Sequence, residues 1–408
     1  MTRTRWDLSA LAAVALLMVA CGGGTSSSNA TVAKPVKIVG AWPLTVPFAN
    51  NGKASLDGAN FAVKKINAAG GIKSLGGAKL ELVQVDTGST AQTAVSGTEN
   101  ALNDPNVVAG MGSWLSSLSL ATIEVAQRAR VPWISESFAD QITAQGYNYV
   151  FDVQPGASAL GRLLYEDVVS VGGGVKPKAI AIVGDNTAAA VPAEDSLKAL
   201  AIQQGILVPV FDRWTPPLAD ASGVVEKIQQ AKVDAVIEIG YAYNDEVQLN
   251  QQLKSRGVTA LIVQLGGQAV IAQWQSIQNV ASGMIGVVGY GPDKVNAAVT
   301  SQMAIDLGQP FVNQDNLTGY LMVQLIKEAL EKAGKPDRTA VRDALAKLDL
   351  TSGPVADLSP THHFQFDAQG RVENPVAIAQ QWQSTPKGFI PCTILPADVA
   401  VCKPQLPI

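Results

Sequence analysis

Histidine is almost absent from this chain: two residues in 408, adjacent to each other at His362 and His363. Neighbouring side chains on a loop or edge strand point in different directions, so neither a histidine-based triad nor a zinc site is expected. Cysteine is nearly as scarce, at three. Charge is sparse too, at 16% of residues with a net of −4 and no basic block. Nucleic acid and anionic membrane are therefore not expected partners of the folded part. After the first twenty residues no long apolar run occurs, so nothing in the mature chain is expected to span a bilayer. What the chain has instead is 47% apolar residues, a globular composition and not a disordered one.

Residues 1–20 read as a signal peptide, with Arg3 and Arg5 ahead of the apolar run Leu8–Ala20. The run ends Leu17-Met18-Val19-Ala20-Cys21-Gly22, which resembles the lipobox of bacterial lipoproteins, where the cysteine becomes the lipidated N-terminus. Residues 21–35, rich in glycine and serine, then read as a flexible tether. The globular part is expected to be exported and lipid-anchored to the cell membrane, facing the periplasm or the cell exterior. With Cys21 lipidated, Cys392 and Cys402 remain, and an exported context favours their pairing. The loop between them is short, so the bond would pin a proline-rich tail and would not create the fold.

The residues after the tether, about 370, suggest two domains. The stretch that organises them is Val107–Asp140. Val107-Val108-Ala109 reads as a buried strand that stops at Gly110-Met111-Gly112. A helical pattern follows in Leu118, Thr122, Val125, Ala126 and Ala129. Pro132 blocks further helix, and Trp133-Ile134-Ser135 is the next strand. Strand, turn, helix, strand is the unit of a parallel sheet. The turns at Ser116-Ser117 and Ser135-Glu136-Ser137 therefore lie at the carboxyl ends of neighbouring strands, where open α/β sheets bind ligands. Open N–H groups of a first helical turn, beside serine hydroxyls, suit a small carboxylate. Serine at a helix start also serves simply as a cap, and Trp114, Phe138, Tyr241 and Tyr243 have a plain reading as core residues.

Strands and helices alternate along the rest of the chain. Strands are read at 37–40, 80–85, 149–153, 179–183, 207–211, 235–239, 260–263, 285–288 and 376–381. Helices are read between them, among them Val270–Ile277, and further helices at Leu317–Ala333 and Val341–Leu348. The two halves look alike, which argues for two doubly wound α/β domains.

Several ordered pieces carry a family resemblance: Val36–Thr45, Leu56-Asp57-Gly58-Ala59-Asn60-Phe61-Ala62, Ile66–Ile72, Val85-Asp86-Thr87, Val131–Ser135 and Phe366-Asp367-Ala368-Gln369-Gly370. Behind a lipobox, this set resembles the branched-chain amino-acid (Leu/Ile/Val) binding proteins, the type I solute-binding proteins of ABC importers. The resemblance implies two lobes joined by a three-strand hinge, near 154–156, 288–291 and 367–375, with the ligand between them. It divides the chain into an N-terminal lobe of residues 36–154 and 289–368 and a C-terminal lobe of 155–288 and 369–408. It also implies a monomer that delivers a small molecule to ABC permease subunits, without cofactor, metal or catalytic residues.

By the same resemblance Ser116, Ser137 and Ala139 hold a ligand carboxylate, and Tyr241 closes over it from the second lobe. Ser117, Trp114 and Phe138 complete the expected pocket. Two departures stand out. The family's first-lobe aromatic matches the neighbourhood of Asn51, where an asparagine stands, and Gln264-Leu265-Gly266-Gly267-Gln268 lacks the acid that meets a ligand ammonium in the family. A buried ammonium without a carboxylate is costly. The expected ligand is a small polar or carboxylated molecule of the amino-acid-like class: a carboxylate without an amine or a neutral amide-like molecule, or an amino acid if Asp185 or Glu238, neither at the matching position, substitutes for the acid; leucine is expected to bind poorly.

Enzyme readings fare worse. Gly110-Met111-Gly112 lacks the third glycine of a dinucleotide turn, where Leu115 stands. Asn51-Gly52-Lys53-Ala54-Ser55 resembles a phosphate loop, but Pro47 replaces its first glycine and Ala54 its hydroxyl residue. A ligand sensor coupled to a signalling partner remains the alternative to transport.

Overall fold

The computed structural model describes residues 33–45, 48–241, 243–266 and 278–405. The signal segment, Cys21 and the helix read at Val270–Ile277 lie outside them. Two main sheets organise the described chain. The first holds β1 (Val36–Trp42), β2 (Leu80–Asp86), β3 (Val107–Gly112), β4 (Trp133–Ser135) and β5 (Val150–Asp152). Its spatial order is β2-β1-β3-β4-β5, and every pairing is parallel. Helices α1 (Ala49–Ala68), α2 (Ala91–Leu102), α3 (Ser116–Ala129) and α4 (Gln141–Ala144) connect these strands. Every residue of β3 is buried, as a strand covered on both faces requires.

After α5 (Ala157–Val171) the same plan repeats in β6 (Ala179–Asp185), α6 (Ala190–Gln203), β7 (Leu207–Trp214), α7 (Ser222–Ala231), β8 (Ala235–Ile239), α8 (Tyr243–Ser255), β9 (Leu261–Leu265) and β10 (Ile285–Val288). The parallel strands run β7-β6-β8-β9-β10, the same order as in the first sheet. This order places a topological switch point beside β1 and β3 in one sheet and beside β6 and β8 in the other. The protein is thus an α/β molecule of two doubly wound units.

The chain crosses between the units three times. It leaves the first sheet after β5. It returns after β10 to supply the helices Ala297–Leu307 and Gln314–Ala333, whose buried faces share a core with α1 and β1. It goes back through residues 366–377. Arg371 stitches the first and third crossings together. Its Nη1 donates to the Gln154 carbonyl at 2.9 Å and its Nη2 to the Ala139 carbonyl at 2.8 Å. The same guanidinium stands 3.5 Å from the buried Asp152.

A small antiparallel pair, β11 (Asp349–Leu350) and β12 (Phe364–Gln365), lies outside the main sheets. His363 adjoins it and meets Asp349 at 2.7 Å. The second sheet is completed by β13 (Ile378–Thr385) and β14 (Gly388–Leu395), both antiparallel additions. The sequence reading took the end of the chain for a proline-rich tail, and β14 corrects it. Pro391 pairs with Trp382, and β14 is an edge strand, the one place where a missing N–H is tolerated in a sheet. Cys392 on this strand is bonded to Cys402 across 10 positions, with Cα atoms 5.9 Å apart. The bond therefore fastens the final segment to a sheet edge.

The close approach of α1 to the helix Gln314–Ala333 depends on two glycines. A Cβ at Gly58 would stand 1.8 Å from the Asn316 carbonyl oxygen, and one at Gly319 would stand 1.9 Å from that of Ser55. Only glycine permits this separation of the two helix backbones, and it brings the start of the long helix beside the ends of β3 and β4.

Candidate functional site

A cavity of about 270 Å³ opens at the carboxyl ends of strands from both sheets. The turn after β3 supplies Trp114, Leu115, Ser116 and Ser117, and the segment after β4 supplies Glu136 and Phe138. The turn after β6 supplies Thr187, Ala188 and Ala189. Tyr241 follows β8, and Phe48, Gln154, Pro216, Gln314 and Asp315 complete the wall. Of the residues expected from sequence, Trp114, Ser116, Ser117, Phe138 and Tyr241 come together here.

Ser137 and Ala139, expected in the pocket, are not among the residues that line it. Both are fully buried. The Ser137 hydroxyl meets Ser119 and donates to the Trp114 carbonyl at 3.0 Å. Ala139 packs in a core with Ile123 and Ile142. The reason is alternation: in an extended segment neighbours face opposite ways. Ser135, Ser137 and Ala139 turn into the protein while Glu136 and Phe138 turn into the cavity. Ser137 instead braces Trp114, which holds the left-handed conformation at φ 64°, a strained choice for a non-glycine residue.

Helix α3 starts without a side-chain cap, its N-cap Leu115 being extended at φ −72°, ψ 128°. Leu118 and Ser119 N–H groups donate to the Leu115 carbonyl. The preceding N–H groups of Ser116 and Ser117 are those a helix leaves open to an outside acceptor. In the second unit, Asp185 organises the matching turns. Its Oδ1 accepts from the Thr187 N–H at 3.0 Å and hydroxyl at 2.6 Å, and its Oδ2 from the Tyr241 N–H at 2.7 Å.

Four rings face the space. Trp114 lies 5.8 Å from Phe48 and, edge-on at 81°, 6.5 Å from Tyr241; Phe138 lies 6.0 Å from Tyr241. Phe48 supplies the aromatic in whose matching place Asn51 stands in the sequence. It precedes α1 by one residue, and only the turn of that helix brings it over the cavity. Burial, together with nearby Asp185 and Glu246, pushes the Tyr241 phenol well above its ordinary range, and its hydroxyl has no hydrogen-bond partner.

Two buried acids stand in the wall. Glu136 accepts from the Trp42 indole N–H and from the Ser55 hydroxyl at 2.9 Å. Asp315 accepts from the Trp114 indole at 3.0 Å and from the Asn51 amide at 3.3 Å. Burial, and then the neighbouring Asp315, push the Glu136 carboxyl up to about 8 against the pull of its donors. Burial raises Asp315 to about 6, again against its two donors. Local pattern marks neither acid: Glu136 lies between two serines, and Asp315 comes from a helix far along the chain. Among the described residues no group of three or more His, Cys, Asp or Glu could hold a metal ion.

Residues 35–386 match the family model described as periplasmic binding protein. The Leu/Ile/Val-binding protein homolog 7 of Brucella abortus is 24% identical over 97% of this chain and 98% of its own length. Two solved structures share the fold. The branched-chain amino acid transporter substrate-binding protein of Streptococcus pneumoniae, in complex with isoleucine, is 22% identical. It covers 88% of this chain and all of its own, with a TM-score of 0.72. A solute-binding protein of R. palustris in complex with benzoate is 18% identical over 88% of this chain and 95% of its own, with a TM-score of 0.70.

Proposed function

The chain belongs to the periplasmic binding protein family, and on that premise we propose that it captures one small molecule in the cavity and delivers it to an ABC importer. The observation that carries this reading is the enclosure. The cavity is walled by strand ends of both units, and Trp114 and Phe138 from one touch Tyr241 from the other. Such a site buries most of a small ligand, and hinged lobes let it enter. The lobes are 36–154 with 289–368, and 155–288 with 369–408. Ser116 and Ser117, with the open N–H groups of α3, receive an anionic or carbonyl oxygen of the ligand. The rings shape its apolar part.

An extracytoplasmic place follows from the family. A lipid on Cys21 and a monomeric state complete the reading. No group in the cavity is assigned a catalytic role.

Thermal-shift screening with amino acids, small organic acids, amines and amides tests it, because a ligand that binds the folded state raises the melting temperature by mass action. Stoichiometric binding of a hit, measured by calorimetry, is the expected result. Chemical conversion of that hit by the purified protein overturns it.

A further inference from the structure

We infer that the cavity takes a ligand bearing a positively charged nitrogen, and that Glu136 and Asp315 receive it. The inference rests on the reading of the cavity as the ligand site and adds the charge that site selects.

Four observations converge. First, the described lining residues include two carboxyl groups and no lysine, arginine or histidine. A simple organic anion would find the α3 N–H groups but no side-chain cation among the described lining residues, and two acids nearby disfavour it relative to a cation or zwitterion. Second, each oxygen of both carboxyls accepts from one donor. A carboxylate has acceptor capacity beyond that, so a ligand N–H can be taken up without breaking an existing bond. Third, Gln154 lines the same cavity, is only 2% exposed, and leaves its Oε1 without a partner. A buried acceptor without a partner beside the cavity is stabilised by any donor that reaches it. Fourth, Phe48, Trp114, Phe138 and Tyr241 surround the space, and aromatic faces attract organic cations, most strongly where water is excluded.

Among the described residues that line the cavity, the second unit supplies no acid in place of the one missing after β9. Asp185 is engaged with Thr187 and Tyr241. Glu238 is bonded to Asn250 at 2.8 Å and Gln264 at 2.5 Å and does not line the cavity. The acids that meet the ligand nitrogen come from the first unit, and an approaching cation favours their ionised forms. The open N–H groups of α3 lie elsewhere on the wall and accept a carboxylate or carbonyl oxygen, so cations and zwitterions both fit.

Calorimetry on the intact mature protein with four matched probes tests the inference: isopentylamine, 4-methylpentanoate, 4-methylpentanamide and leucine. At least one ammonium-bearing probe is expected to bind, about tenfold or more tighter than 4-methylpentanoate. Glu136→Gln and Asp315→Asn should each weaken that probe about tenfold and by a larger factor than they weaken the neutral amide, since a hydrogen bond to a charged group is lost. Tighter binding of the anion overturns the inference. So does unchanged affinity of the ammonium probe in both variants, or no binding of either ammonium probe at millimolar concentration. Trp114→Ala separates the two levels of the argument. If it abolishes binding of a probe that the charge variants leave intact, the cavity reading stands and the charge assignment falls. If none of the three substitutions affects a bound probe, both fall.

Discussion

The indole N–H of Trp114 donates to Asp315 across 201 positions of sequence. This bond ties the turn after β3 to the start of the helix Gln314–Ala333. The long helix is held in turn by its capping box, in which the Asn313 side chain accepts from the Asn316 N–H and the Asn316 side chain receives the Asn313 N–H. Ser137 grips the Trp114 carbonyl from behind. The ring that walls the cavity is therefore fixed from both sides, which is how a left-handed tryptophan persists.

The two serines should separate cleanly. Ser116→Ala should weaken ligand binding by about ten- to a hundredfold, the loss of a hydrogen bond to a charged oxygen, with stability unchanged. Ser137→Ala should instead lower stability by about 1–3 kcal/mol, because it leaves the buried groups around it unsatisfied. Urea denaturation and calorimetry on both variants measure the contrast.

Tyr241 should respond differently to two substitutions. Tyr241→Phe keeps the ring contacts and removes a buried hydroxyl that has no partner, so its stability should equal or exceed that of the parent. Tyr241→Ala removes the contact with Trp114 and Phe138 and should reduce affinity by tenfold or more, at about 1.4 kcal/mol per factor of ten. Melting temperatures and titrations of the pair decide this.

Gly58→Ala and Gly319→Ala should each force α1 and the long helix apart. Overpacking of this kind costs about 1–3 kcal/mol. The binding site should suffer with the fold, because Asn51, Ser55 and Asp315 all ride on these helices. A lower melting temperature together with weaker ligand binding is expected. An unchanged affinity in the destabilised variants would detach this helix contact from the cavity.

Stability should fall as pH rises through the neutral range. Burial holds Glu136 at about 8, Asp152 at about 7 and Asp167 at about 8. In the unfolded chain these groups titrate near their ordinary values, roughly 4. Between about pH 4 and 8 the native state thus binds more protons than the unfolded one, so the free energy of unfolding decreases with pH across that window. Urea midpoints at pH 5.5 and 8.5 should differ in that direction. Glu136→Gln should reduce the slope by removing one contributor.

The fold was legible where periodicity is strong. Val107–Ala109, Ile285–Val288 and the alternation between them reveal two parallel sheets without any contact information. The strand Gly388–Leu395 was not legible, because Pro391 argues against a strand unless one knows that it sits on an edge. That Ser116 and Tyr241 reach the cavity wall was legible because each stands just beyond the carboxyl end of a strand. The swap of Ser137 for Glu136 is a matter of one residue of register, which the sequence around it does not fix. Phe48, Gln314 and Asp315 reach the cavity only through the packing of α1 against the helix Gln314–Ala333. That packing is a long-range relation between two glycines, and local pattern carries no trace of it.

The meeting of Tyr241 with Trp114 and Phe138 also has a bearing on time. Rings that meet across the cavity narrow the way out for whatever it holds. Escape waits for the lobes to part, a collective motion of microseconds to milliseconds or slower. A carrier built in this way retains its load through free diffusion and gives it up quickly only where a partner holds the two lobes open.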